Sequence, residues 1–181
     1  MTSPWFPLRE GVSWNYSATD PISCRLVTVT VRSTVEIEVG DMVTRGTRRE
    51  RAWVLEESDR KEPHFVIERE HGVEFVRPRR FGKPEREAIV VTDEYRWSGE
   101  PTWSHPVSHY VIGTRSYRRA GDEEVTVSAG VFRCLKILLD EGKTGTVWLA
   151  PGVGIVRSVG VVEGLSPDRY SVIELHGCDL R

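Results

Sequence analysis

The sequence predicts a mostly β protein: a single antiparallel sheet of about eleven strands, curved into a half-barrel or barrel, with at most one or two short helices. Three observations predict it. One long stretch alternates apolar and polar residues with a period of two. Shorter runs of the same kind follow along the chain. Turn signals rich in Gly, Pro and Asp stand between them at hairpin spacing.

The segment around Trp14 supplies the first strand. From Val27 to Val39 the odd positions read Val27, Val29, Val31, Ser33, Val35, Ile37 and Val39, while Thr28, Thr30, Arg32, Thr34, Glu36 and Glu38 fill the even ones. This is one long half-buried strand, or two joined by a tight bend near Ser33. Residues 47–57 are open to two readings. Thr47-Arg48-Arg49-Glu50 matches a capping box, and good helix formers follow it. A strand instead puts Trp53 and Leu55 on one face and Ala52 and Val54 on the other; no apolar residue completes a helical stripe, which favours the strand.

Further runs are Phe65–Glu68, Val73–Val76, Ala88–Arg96, His109–Arg118, Glu124–Ser128, Phe132–Leu139, Thr146–Leu149, Gly154–Val162 and Tyr170–Leu175. The turns between them centre on Gly72, Gly82, Gly121, Gly142, Pro151-Gly152 and Pro167. Pro151-Gly152 suits a type II turn, and Ala129-Gly130 suits a bulge or sharp strand bend. Connections this short require antiparallel neighbours, because a parallel crossover needs a dozen residues or more. No Pro- or Ser-rich linker divides the 181 residues, so one domain over 1–181 is expected.

Composition narrows the function classes. With 39% hydrophobic and 29% charged residues the chain folds rather than remaining disordered. A net charge of −2, from 25 basic against 27 acidic residues, supplies no overall field to recruit nucleic acid or an anionic membrane. No apolar run approaches the ~20 residues of a membrane-spanning helix. Residues Met1–Pro7 lack the basic and apolar regions of a secretory leader; a cytoplasmic location is expected, or an extracytoplasmic one if a leader has been removed. Three cysteines, Cys24, Cys134 and Cys178, without a CxxC pair, suggest neither a disulfide framework nor a zinc site.

Chemical motifs are sparse. Gly142-Lys143-Thr144 ends like a phosphate loop, but Ile137 stands where the first glycine belongs and a strand follows. Gly152-Val153-Gly154 begins a dinucleotide pattern that Arg157 interrupts. No serine sits in a nucleophile elbow. Cys134 lies in an apolar strand, a poor setting for a thiolate. His105 and His109 have the i, i+4 spacing of helical metal ligands, yet in an extended chain they stand ~13 Å apart. The carboxylate runs Glu56–Asp59, Asp93-Glu94 and Asp122–Glu124 read as solvated faces and turn tips. Two basic clusters, Arg45–Arg51 and Arg77–Arg86, read as ordinary charged surface, and acidic neighbours oppose a nucleic-acid groove. No metal and no cofactor are expected.

Six tryptophans remain, each an apolar body with one polar N–H. About eight strands close a barrel that its own side chains fill, whereas more leave space. The candidate ligand-binding residues are therefore Trp14, Trp53, Trp97, Trp103 and Trp148.

Phe6-Pro7-Leu8 with Gly11, Trp14 and Tyr16, the stretch Ala129-Gly130-Val131-Phe132-Arg133-Cys134, and Trp148-Leu149-Ala150-Pro151-Gly152-Val153-Gly154-Ile155-Val156 resemble segments of a group of uncharacterised bacterial β-domains. Those domains resemble the curved half-barrels of lipoprotein carriers of the LolA and LppX kind, which implies hydrophobic-ligand binding. The chain departs from the pattern in lacking a lipobox cysteine and in reducing a second copy of the opening motif to Pro106-Val107, Gly113 and Tyr117. The expectation is a non-enzymatic binding module for an apolar or amphipathic, lipid-like small molecule. Two alternatives stand beside it: a structural or protein-interaction domain with a solid core, and a hydrolase-type enzyme using His105 and His109.

Overall fold

A computed structural model describes residues 5–20, 23–40, 46–80, 87–108, 112–161 and 170–180. Among them run twelve strands: β1 (Ser13–Thr19), β2 (Cys24–Gly40), β3 (Thr47–Glu57), β4 (His64–Glu68), β5 (Gly72–Arg80), β6 (Glu87–Arg96), β7 (Thr102–Ser108), β8 (Ile112–Val127), β9 (Gly130–Leu139), β10 (Gly145–Ala150), β11 (Gly154–Val161) and β12 (Tyr170–Asp179). The described residues contain one 3-10 turn, Asp140–Gly142, and no α-helix, and no helix is long and apolar enough to cross a membrane. Residues 47–57 form a strand rather than a helix because β2 and β4 flank them and take up both sets of backbone hydrogen bonds.

The strands form one sheet in the order β3-β4-β5-β6-β2-β1-β12-β11-β10-β9-β8-β7, with β3 also paired to β2. Strands β2 to β6 thereby close into a ring of five. The ring is completed by a short parallel ladder, Val39 beside Ile89 and Gly40 beside Val90. The sheet is otherwise antiparallel, as expected, and the long connection through β3, β4 and β5 is what permits this parallel pair. The remaining strands sweep round in an arc that brings β7 back beside β6, so the sheet nearly closes into a barrel. Among the described residues no ladder joins these two strands. The Trp103 indole donates to the Glu94 carbonyl at 3.1 Å, and Tyr117 stacks on Trp103 at 5.4 Å and meets Tyr95 edge-on at 6.3 Å.

The alternation from Val27 to Val39 serves two cores rather than one dry face. Val31 lies opposite Leu55, but Thr34 lies opposite Trp53, so β2 carries one residue more than β3 between these pairs. This bulge at Arg32-Ser33 is the bend anticipated near Ser33, and it reverses the side on which odd residues project. Val29 and Val31 join the main core, with Trp14, Leu55, Tyr95 and Leu149. Val35, Ile37 and Val39 join Ala52, Phe65, Ile67 and Val76 in a second core inside the five-stranded ring.

Strand β7 goes unseen in the sequence because Pro106 interrupts it. Its position at the sheet edge removes the conflict, since an edge strand leaves half its N–H groups unpaired. Ala120-Gly121-Asp122 is a bulge inside β8 rather than a turn between two strands, with Gly121 at φ +95°. Ser128-Ala129 is the hairpin turn that ends β8 and leads to Gly130, so Ala129-Gly130 is no bulge. The bent hairpin folds back until the Ala129 amide donates to the Leu175 carbonyl, enclosing a third apolar cluster around Cys134, Trp148 and Val156. Ala150–Val153 forms the expected type II turn, closed by the Val153 amide on the Ala150 carbonyl with Gly152 at φ +71°.

Residues 5–12 enter the barrel before β1 begins. Phe6, Leu8 and Val12 are buried in the main core, and hydrogen bonds between Gly11 and Val31 and between Val31 and Val12 pin the segment to β2. Burying each such side chain contributes about 1.5–3 kcal/mol. The segment fills one part of the interior. The space beyond it stays open.

Candidate functional site

That space is a cavity of about 270 Å³ between the wall formed by β1, β2, β11 and β12 and the wall formed by β3 to β6. Period-two geometry positions its lining: Trp14, Tyr16 and Ala18 project from β1, and Arg25, Val27 and Val29 from β2. Aromatic rings form the floor. Phe6 meets Phe75 edge-on at 6.0 Å, and Phe75 meets Tyr95 at 5.6 Å. The polar atoms of the other two rings are already engaged. The Trp14 indole donates to the Val153 carbonyl at 2.7 Å, and the Tyr16 hydroxyl to the Ile155 carbonyl at 3.1 Å. Burial, with Cys178 and Glu57 nearby, holds the Tyr16 phenol far above its ordinary pKa, so the ring stays neutral. At Trp14 and Tyr16 the floor thus offers apolar ring surface with the hydrogen bonds directed away.

A charged cluster lines the opposite end. Glu57 closes β3, Asp59 and Arg60 occupy the connection, and buried His64 opens β4. The His64 Nδ1 lies 2.7 Å from one Glu57 oxygen, and the Arg60 Nε lies 2.8 Å from the other in an ion pair. The Arg60 guanidinium also lies 3.5 Å from the His64 Nε2. Across the opening Arg25 pairs with Asp59 at 3.0 Å. Asp93, also in the lining, accepts from Arg115 at 2.7 Å and from the Tyr117 hydroxyl at 3.4 Å. Burial first, then the Asp93 charge, raises the Tyr117 phenol.

The five tryptophans singled out from the sequence occupy different places. Trp14 lines the cavity and is 2% exposed. Trp53, Trp97 and Trp103 belong to the main core without lining it: Trp53 donates to Glu68 at 3.2 Å, Trp97 stacks on Trp5 at 6.2 Å, and Trp103 lies at the β6–β7 seam. Trp148 sits in the third cluster, between the Lys136 ammonium and the Arg157 guanidinium, each 5.4 Å from its ring, and donates to Glu123.

His105 lies on β7, extended, 3.8 Å from a Glu94 oxygen; burial lowers its pKa and the Glu94 charge opposes that shift. His109 lies outside the described residues, as do Arg45, Lys83 and Arg86 of the basic clusters. Arg48 pairs with Glu50 at 3.1 Å and with Glu74 at 2.5 Å. Among the described residues no group of three or more His, Cys, Asp and Glu is arranged to hold a metal. Cys134 is buried, and desolvation raises its thiol to about 11.

Sequence reasoning missed the charged end. Glu57, Asp59 and Asp93 read there as solvated, whereas they line the cavity. The available signal was His64 at the head of an apolar strand, seven residues after Glu57.

Fold and cavity together define a curved antiparallel β-barrel, nearly closed, with an interior that is aromatic at one end and charged at the other. No protein-family model matches the chain, and no curated protein matches it. Among solved structures it is similar to a candidate lipoprotein from Parabacteroides distasonis, at 14% identity and a TM-score of 0.50, over 99% of this chain and 100% of the other. It is also similar to a candidate exported protein with a YmcC-like fold from Bacteroides fragilis, at 13% identity and a TM-score of 0.47, over 98% and 99%. At these identities the likeness is one of fold.

Proposed function

We propose that this protein is a non-enzymatic binding module, one domain over its whole length, that holds an apolar or amphipathic small molecule inside the barrel. The observation that carries the reading is the cavity of about 270 Å³, floored by Phe6, Trp14, Tyr16, Phe75 and Tyr95. Ligand sites are concave and mostly apolar, with a few polar groups that fix orientation, and this cavity has that character. The resemblance of its sequence segments to the β-domains that look like LolA and LppX carriers supports the same reading. So does a fold shared with a candidate lipoprotein, which also favours an extracytoplasmic location over a cytoplasmic one.

Native mass spectrometry of protein purified without detergent tests the proposal, together with tryptophan fluorescence during titration with fatty acids. A retained adduct of small-molecule mass and saturable quenching that Trp14→Phe abolishes are expected. A bare mass and an unchanged spectrum would refute the reading and favour a domain whose interior is solid.

A further inference from the structure

Resting on that reading, we infer that the guest is a single-chain carboxylic acid of medium length, its carboxylate held by Arg25 and Arg60 and its chain laid across the aromatic floor. Size is the first argument. The cavity of about 270 Å³ lies just below the ~300–1,000 Å³ of ordinary small-molecule sites. That suits one short chain of about a dozen heavy atoms, the size of decanoate, better than a two-chain lipid, which has several times as many.

Hydrogen-bond accounting is the second argument. Each carboxylate in the lining already faces a cation of the protein: Glu57 faces Arg60, Asp59 faces Arg25, and Asp93 faces Arg115. The guanidiniums are not used up. Arg25 engages Asp59 through Nε, and among the described residues no hydrogen-bond partner stands at its two terminal nitrogens. Arg60 spends Nε on Glu57 and turns one terminal nitrogen toward His64, which leaves the other. A guanidinium carries five N–H donors and no acceptor, so the unspent capacity of both arginines calls for an acceptor-only group. A carboxylate is such a group, and a planar fork binds it in two-point geometry. The Trp14 and Tyr16 donors of the floor are bound to backbone carbonyls and do not compete for it. One orientation follows, head at the arginines and tail on the rings.

Calorimetric titration of the whole protein with decanoate, decanol, decylamine, palmitate and phosphatidylglycerol, each below its aggregation concentration, tests this. Decanoate is expected to bind about tenfold or more tighter than decanol and decylamine, the ratio that one charge-assisted hydrogen bond supplies. Arg25→Gln, at a half-exposed position, is expected to weaken decanoate about tenfold and to narrow its lead over decanol, with the near-ultraviolet circular dichroism confirming a native fold. Decanol or decylamine binding as tightly as decanoate would overturn the head-group assignment and leave the binding module standing. Palmitate or phosphatidylglycerol binding more tightly than decanoate would overturn the size assignment. Failure of all five to bind would overturn both this inference and the reading it rests on.

Discussion

Replacing Ala18 by Leu places three extra carbons at a point where the structure has empty space. Ala18 projects from β1 into the cavity, between the cross-strand neighbours Arg25 and Ile173. Each methylene removed from water is worth about 0.8 kcal/mol, so the added carbons stabilise the fold by at most about 2.4 kcal/mol if they settle against the rings. Side-chain ordering and the Arg25 stem reduce the gain, and the expected change lies between zero and about 2 kcal/mol stabilising. Equilibrium urea unfolding reads this as a midpoint that rises or holds with an unchanged slope. Ligand binding falls in the same variant, because the new side chain occupies the guest's place. A core already packed solid responds with the opposite sign, since overpacking costs about 1–3 kcal/mol. Destabilisation of more than about 1 kcal/mol, with ligand binding intact, would refute the reasoning.

Gly154 adopts φ +93°, and a Cβ there would stand 2.9 Å from the Phe6 ring; Gly154→Ala should cost about 1–2 kcal/mol in backbone strain alone, read by urea unfolding, and a neutral result would contradict the placement of residues 5–12. The hydrogen bond from Arg69 holds the Glu50 carboxyl below its ordinary pKa, so Glu50 contributes stability that is complete above the ordinary carboxylate value and lost as pH falls through the lowered one. Unfolding measured from pH 6 down to pH 3 should show that loss, and Glu50→Gln should flatten it. Ellman's reagent should label Cys24 and Cys178 in the native protein and reach buried Cys134 only in denaturant; three thiols reacting natively would contradict the third cluster.

Much of the fold was legible because each strand carries its own period. Val27–Val39 announced a long strand, Ser33 its bend, and Ala150–Val153 its turn. The element that went unread, β7, pairs on one side only, which accommodates Pro106, and edge position is a property of the whole topology. The bulge at Arg32-Ser33 shows the same limit at finer scale. Alternation identifies a dry set of residues, but one inserted residue decides that Val31 and Val35 face different cores. The cavity was legible in kind through the aromatic residues. Its composition was not, because Arg25, Glu57, Asp59 and His64 meet only when β2, the β3–β4 connection and β4 converge. Charged residues at strand ends look alike whether they face solvent or one another.

The most direct test of a hollow, occupied interior is an isotope-filtered nuclear Overhauser experiment on the protein saturated with decanoate. Magnetisation transfer from the chain protons to the ring protons of Phe6, Trp14, Tyr16 and Phe75 is the result this account requires. Transfer confined to outward-facing Leu26 and Val131, with those four rings silent, would contradict it.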